Sequence, residues 1–349
     1  TNTTFAVSDG DGYRLTGHKF FCSAPMPDAF LTLAYSDGGL SCFLVPRWIH
    51  TGERNNLNIQ RLKDKLGNRS NASSEMEFLD TWGVMVGEEG RGIRTIIDMV
   101  QGNRYYCCFS SAALMRQGLV QALHHTAHRT AFQKKLIDQP LMKNVLADLA
   151  IEVEAALALT LRVGRAMDEA ESNESAAALA RIGTAIGKYW VCKRAPGHIY
   201  EALECHGGPG YIEDSIMPRL YREAPLNSIW EGSGNVMCLD VLRALGREPA
   251  AIPALLEELD AARGGHNLLD AAIDALKMEL ADLENLELRA RGITELMATA
   301  LQGALLMRYA PPEVADAYCV SRLGQRWTGA YGTLPTDVDF DTIIARAAA

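Results

Sequence analysis

Val145-Leu146-Ala147-Asp148-Leu149-Ala150-Ile151-Glu152-Val153-Glu154-Ala155-Ala156-Leu157 decides the fold class, because Val145, Leu149, Val153, Ala156 and Leu157 recur at three- and four-residue spacing. That is the period of an α-helix carrying one apolar stripe. The surrounding stretch, Leu141 to Ala170, is Ala/Leu-rich, and so are Ile93 to Thr130, Ser175 to His206 and Leu226 to Leu245, all almost free of Pro. Long helices with apolar stripes bury those stripes against one another, which predicts a bundle. Gln139-Pro140 marks the entry to the second helix, since Pro fits a first turn. Gly207-Gly208-Pro209-Gly210 ends the third in a loop that no helix continues through. Arg247 to Pro253 reads as a linker, and Ala254 to Tyr309 and Glu313 to Arg326 as further helices before a Thr/Asp-containing tail.

Upstream of Gly92 the texture differs. Tyr13-Arg14-Leu15, Phe30-Leu31-Thr32-Leu33-Ala34, Cys42-Phe43-Leu44-Val45 and Met76-Glu77-Phe78 are short aromatic or β-branched runs. Asp9-Gly10-Asp11-Gly12 and Asp37-Gly38-Gly39 supply turns between them. The fold expected is α+β: an antiparallel β-domain over residues 1–90, a helical bundle over 91–246 and an extra helical domain over 247–349.

A chain of 349 residues is long enough for two or three domains with well-filled cores. It has no apolar run of about 18 residues, so no membrane span is expected. It has no basic-then-apolar leader either, and the opening Thr1-Asn2-Thr3-Thr4 reads as the middle of a longer protein. The eight Cys form no CxxC pair or regular framework, which favours buried thiols in a reducing, cytoplasmic setting. The formal net charge of −9 disfavours a polyanionic partner, although a local basic patch is compatible with it.

The sharpest local pattern is Trp230-Glu231-Gly232-Ser233-Gly234-Asn235. A single carboxylate lies between an aromatic residue and a Gly-rich turn that opens a helix. Apolar neighbours raise a carboxylate's proton affinity, and glycines let a ligand approach the backbone, so the pattern suits a general base. A solvated Glu231 ahead of a helix capped by Ser233 fits it equally well. Gly207-Gly208-Pro209-Gly210-Tyr211 lacks the context of a P-loop or dinucleotide fingerprint and reads first as a tight turn. His124, His125 and His128 have no matching Cys, Asp or Glu set, so no metal is expected. The most basic stretch, Arg61 to Arg69, reads as a solvated loop.

Taken in order, these pieces resemble the acyl-CoA dehydrogenase superfamily, most closely its AidB-like branch, associated with the bacterial alkylation response. Gly17-His18-Lys19-Phe20-Phe21-Cys22-Ser23 looks like that family's β-domain flavin motif. Arg61-Leu62-Lys63-Asp64-Lys65-Leu66-Gly67-Asn68-Arg69-Ser70-Asn71-Ala72-Ser73 and the run from Pro218 to Asn235 are similar to the branch almost letter for letter. The resemblance covers nearly the whole chain. It implies FAD, with Phe21 beside the isoalloxazine and Ser23 near its reactive edge. Arg129 and Phe132 match a dimer-spanning FAD motif in which Gln133 replaces the usual Gly, and Pro140 stands where many dehydrogenases have Gln. Gly207, Gly208 and Gly210 match a turn that meets the cofactor of a neighbouring subunit, and Ser233 matches the Thr/Ser after the catalytic Glu-Gly.

Glu231 is then the implied base. Arg104 matches an Arg near the acyl-CoA site, and Asn103 occupies the position where some members carry their base instead. The reaction implied is α,β-dehydrogenation of an acyl-CoA thioester, short or branched such as isovaleryl-CoA, with the β-hydride leaving to the flavin. A homotetramer (a dimer of dimers) and an electron-transfer flavoprotein as acceptor follow by the same analogy. The rival readings are a flavoprotein of the response to alkylation damage that binds DNA through its C-terminal helices, and a flavin-binding homologue without turnover. From Gly246 onward there are nine Lys/Arg against sixteen Asp/Glu, a net −7 that opposes phosphate binding. Arg243 aligns with an arginine of that branch implicated in DNA contact.

Overall fold

Gly10, at φ +60°, turns the chain between Phe5–Asp9 (β1) and Gly12–Cys22 (β2). Asp37-Gly38 does the same between Ala29–Ser36 (β3) and Gly39–Pro46 (β4). Leu57–Leu62 (β5) and Ser74–Val86 (β6) complete a sheet of order β2-β1-β3-β4-β6-β5 in the computed structural model, which describes residues 2–324 and 328–349. An additional β2–β6 pairing closes five of the strands into a ring around Ala6, Leu15, Ala34, Phe43, Val45, Met76 and Phe78. An odd ring cannot alternate direction throughout, and the mismatch falls at β1–β3, which pair in parallel. Every other pairing of the sheet is antiparallel, as expected.

The stretch Arg61–Arg69 is not a solvated loop throughout. Arg61 and Leu62 end β5, the Lys63 ammonium lies 2.5 Å from Glu75, and Lys65 donates to the Asn71 carbonyl at 2.7 Å and to Ser73 Oγ at 3.0 Å.

Gly92–His128 (α1) is followed by a small hairpin, Thr130–Ala131 (β7) and Lys134–Lys135 (β8), and then by Pro140–Glu169 (α2). Glu174–Glu204 (α3) starts at Asn173, whose side chain accepts from the Ala176 N–H at 3.1 Å. Met217–Glu223 (α4) and Gly234–Arg247 (α5) come next. The single helix expected from Leu226 to Leu245 is not there. Leu226–Ser228 forms one 3-10 turn, and Glu231 and Gly232 have φ of +58° and +112°, which no right-handed helix tolerates.

Ala251–Asp260 (α6), Asn267–Ala281 (α7), Leu286–Tyr309 (α8), Pro312–Tyr318 (α9) and Phe340–Ala348 (α10) follow, with a five-residue π-helical turn at Cys319–Leu323. The expected helix from Glu313 to Arg326 therefore changes character at Cys319, and its last two positions lie outside the described residues. The chain divides into two units, Thr1–Gly102 and Asn103–Ala349, with the boundary inside α1. The helices after Arg247 share one apolar core with α1, α2, α3 and α5.

A buried ionic cluster ties that core together. Arg322 reaches Asp148 and Glu152, Arg194 donates to Glu152 at 3.1 Å, and Asp148 accepts the Gly332 N–H at 2.9 Å. All eight cysteines are unpaired, and seven are buried.

Candidate active site

The loop between α4 and α5 is built from the inside outward. Asn227, buried, donates to Ser111 Oγ at 3.1 Å and accepts from the Trp230 indole N–H at 3.1 Å, which fixes the aromatic residue before Glu231. Lys188 on α3, 1% exposed, donates to the Trp230 carbonyl at 2.7 Å and to the Gly232 carbonyl at 2.5 Å. Arg104 on α1 donates through Nε to the Glu231 carbonyl at 3.0 Å. Three successive carbonyls thus accept from buried cations. A buried carbonyl left unpaired costs about 1–3 kcal/mol. This set therefore offsets the roughly 1–2 kcal/mol that a non-glycine residue costs in the left-handed region.

Gly232 is favoured by its backbone, and a side chain there would also have to displace the tip of Met237. Its φ is +112°, and a Cβ there would lie 2.6 Å from Met237 Cε. Ser233 has the extended backbone of an N-cap, but its side chain makes no capping bond, so the capping alternative holds for its backbone only. Ser233 is exposed.

Behind the loop, Asp240 on α5 collects Arg104 Nη1 at 3.1 Å, Arg181 at 3.0 Å and Arg243 at 3.2 Å. Burial draws the pKa of Lys188 down, and the neighbouring thiols Cys192, Cys107 and Cys108 pull it back. Burial pushes the Cys107 thiol up to about 12. Lys188, Asp240 and Asn227 were not singled out in the sequence; the one available signal was a lysine inside the apolar run from Ile186 to Val191. Beside α5 lies a cavity of about 430 Å³, where Arg291 on α8 donates to Asn235 Oδ1 at 2.8 Å.

The other expected residues of this unit sit elsewhere. Arg129 follows the C-terminal end of α1, and Phe132 and Gln133 form the two-residue turn of the β7–β8 hairpin at φ +50° and +64°. Phe132 is 92% exposed. Gly207, Gly208 and Gly210 follow α3, and the His125 and His206 rings, 4.8 Å apart and tilted by 31°, join that end of α3 to the end of α1. Gly207, at φ +63° and ψ −143°, has a backbone essentially restricted to glycine, and nothing lies within 4 Å of a Cβ built on Gly207 or Gly208. Gly210 differs: a Cβ there would stand 2.4 Å from the Leu203 carbonyl, so packing alone demands glycine. From Arg104 to Arg129 the rise along α1 is roughly 37 Å, at about 1.5 Å per residue. One chain therefore does not bring Arg129 and Phe132 to Glu231.

In the sheet unit, Phe20 and Phe21 are adjacent along β2 but meet edge to face at 5.0 Å. A register irregularity between Lys19 and Cys22 allows this, because regular strand neighbours point to opposite faces. Ser23 follows the strand directly. Within each unit the residues present are compatible with FAD: in the sheet unit an exposed Phe21 ring offers a face to a flat isoalloxazine, and in the helical unit the Gly207-Gly208 backbone is open to a phosphate or sugar.

Comparison with known proteins supplies the lineage. The family model for the acyl-CoA dehydrogenase middle domain matches residues 1–81, and that for the C-terminal domain matches residues 90–246. The AidB protein of Escherichia coli (strain K12) is 45% identical over 93% of this chain and 60% of its own length. Acyl-CoA dehydrogenase family member 11 of Caenorhabditis elegans is 30% identical over 93% of this chain and 60% of its own. The crystal structure of C. elegans ACDH-11 in complex with C11-CoA superposes with a TM-score of 0.84 at 28% identity, over 95% of this chain and 63% of that one. The chain spans about 60% of the length of these curated relatives. With its sheet matching the middle-domain model and its helices the C-terminal-domain model, the chain belongs to the acyl-CoA dehydrogenase family.

Proposed function

We propose that the protein is an FAD-dependent oxidoreductase of the acyl-CoA dehydrogenase type, acting on short or branched acyl-CoA thioesters, with Glu231 as the base that takes the substrate's α-proton. The observation that carries this reading is the backbone of Glu231, left-handed and held through the carbonyls of residues 230–232 by Lys188 and Arg104. A loop fixed this firmly aims one carboxylate, and fixed aim is what proton abstraction from a weak carbon acid requires. The Glu231 backbone N–H is the proposed donor to the thioester oxygen as negative charge develops there. When bound, FAD supplies the acceptor for the β-hydride. Phe21 and Ser23, and Arg129, Phe132, Gly207 and Gly208, are the residues proposed to hold it, with Arg104 on the acyl-CoA side.

Arg104 and Arg129 stand far apart along α1, so a site using both sets takes them from two copies of the chain. That favours a homo-oligomer, a tetramer by family analogy. The C-terminal region does not favour DNA. Arg263 is paired with Asp260 and Asp274, Arg289 with Glu279, Arg308 with Glu258 and Arg346 with Glu154. Arg243 is likewise held by Asp240.

The test is exchange of the α-hydrogens of isovaleryl-CoA in deuterated water, followed by NMR. Wild type is expected to wash deuterium into the α-carbon, and Glu231→Gln to do so at least about 100-fold more slowly. Equal rates would remove Glu231 from the base role.

A further inference from the structure

The Phe20–Phe21 pair has a neighbour that the proposed chemistry leaves unused. Lys63 Nζ lies 3.1 Å from the centroid of the Phe20 ring and 4.7 Å from that of Phe21. Its side chain is only 9% exposed, whereas Phe20 and Phe21 are 57% and 67% exposed. The ammonium is anchored from below by Glu75, which also accepts from Arg61 at 2.8 Å. Arg61 and Lys63 together hold the Glu75 carboxyl down at about 2, so the anchor stays ionised at neutral pH. The backbone N–H of Lys63 is bonded to the Ser73 carbonyl at 2.7 Å, which fixes the stem.

Two exposed aromatic rings at an irregularity in a strand would otherwise be free to turn. A cation within about 6 Å of a ring face is attracted by the ring's quadrupole, and more strongly when desolvated. We propose that Lys63, anchored by Glu75, is a positioning residue that sets the orientation of the Phe20–Phe21 pair and thereby of the planar cofactor lying against it. This rests on the reading that Phe21 faces the flavin. An arginine at position 63 would keep the charge and can stack on an aromatic face; a methionine keeps only the length.

The experiment uses the full-length protein with FAD. For Lys63→Met, Lys63→Arg, Glu75→Gln and Phe21→Leu, it reads the FAD dissociation constant and the visible-region circular dichroism of the bound flavin. Lys63→Met is expected to weaken FAD roughly 3- to 30-fold and to change the flavin dichroism, with Lys63→Arg restoring both. Glu75→Gln is expected to shift the dichroism in the same sense, and it covers the case in which Lys63→Met does not fold. Wild-type affinity and dichroism in Lys63→Met, or in Glu75→Gln where Lys63→Met is not obtained, would overturn the role of Lys63 if Phe21→Leu alters both. If Phe21→Leu is silent too, the flavin-facing reading of Phe21 fails and the proposal falls with it.

Discussion

At the scale of single residues, the account turns on Glu231 and the two cations behind it. Lys188 spends its charge on the Trp230 and Gly232 peptide carbonyls, and Arg104 donates both to the Glu231 carbonyl and to Asp240. Replacing Lys188 by Met would take the donor from two part-buried carbonyls, at up to about 1–3 kcal/mol each. Lys188→Met is therefore expected to lower the denaturant midpoint by the equivalent of about 2–4 kcal/mol and to cost substrate-driven flavin reduction at least tenfold. Lys188→Arg should recover part of both, and chemical denaturation with stopped-flow reduction checks it. A Lys188→Met protein that lost stability but kept wild-type reduction would separate the clamp from the chemistry.

Among the elements, the β7–β8 hairpin makes the most direct prediction. Gln133 is held at φ +64°, in a turn whose two central residues are both left-handed. Gln133→Gly should therefore stabilise the protein by up to about 1 kcal/mol, read as a rise in the thermal midpoint. The sequence makes the long helices and the β1–β2 and β3–β4 hairpins readable, because periodicity and Gly-containing turns are local signals. It also brings out Glu231 and its glycines. It hides β5, whose Asn58, Gln60 and Arg61 are the polar side chains of an exposed edge. The Gly-rich turn after Glu231 is readable although the apolar spacing from Leu226 to Leu245 fits one helix; what the sequence hides is the cause of the left-handed backbone there, since Lys188 and Arg104, which hold it, lie more than forty positions away. The parallel β1–β3 seam follows from closing a ring of five strands, a property of the whole sheet.

Over the whole molecule, acid sensitivity should come from the buried cluster that joins the bundle to the C-terminal helices. Burial lowers the pKa of His198 from 6.5 to about 4, and its Nε2 meets the Leu149 carbonyl at 3.1 Å. Burial would raise Glu152, but Arg194 and Arg322 outweigh it and leave its carboxyl at about 2. Both folded values lie below the unfolded ones, so the unfolded chain binds more protons and stability rises with pH. Stability is thus expected to fall from pH 6.5 to about 4 as His198 charges in the unfolded state, and from 4.5 to about 2 through Glu152. The first part has a slope of at most about 1.4 kcal/mol per pH unit. Urea titrations across that range check it, and His198→Gln should reduce the slope of the upper window, to which His125 and His206 also contribute, while leaving the lower window unchanged. The central claim is a family chemistry run by Glu231, and one measurement addresses it most directly: anaerobic titration of the FAD-loaded full-length protein with isovaleryl-CoA and straight-chain acyl-CoAs, wild type beside Glu231→Gln. The account predicts that the oxidised-flavin absorbance of wild type bleaches with at least one thioester, while Glu231→Gln retains its FAD and stays yellow; a wild-type protein that no acyl-CoA bleaches, or a Glu231→Gln protein that bleaches as fast as wild type, would contradict it.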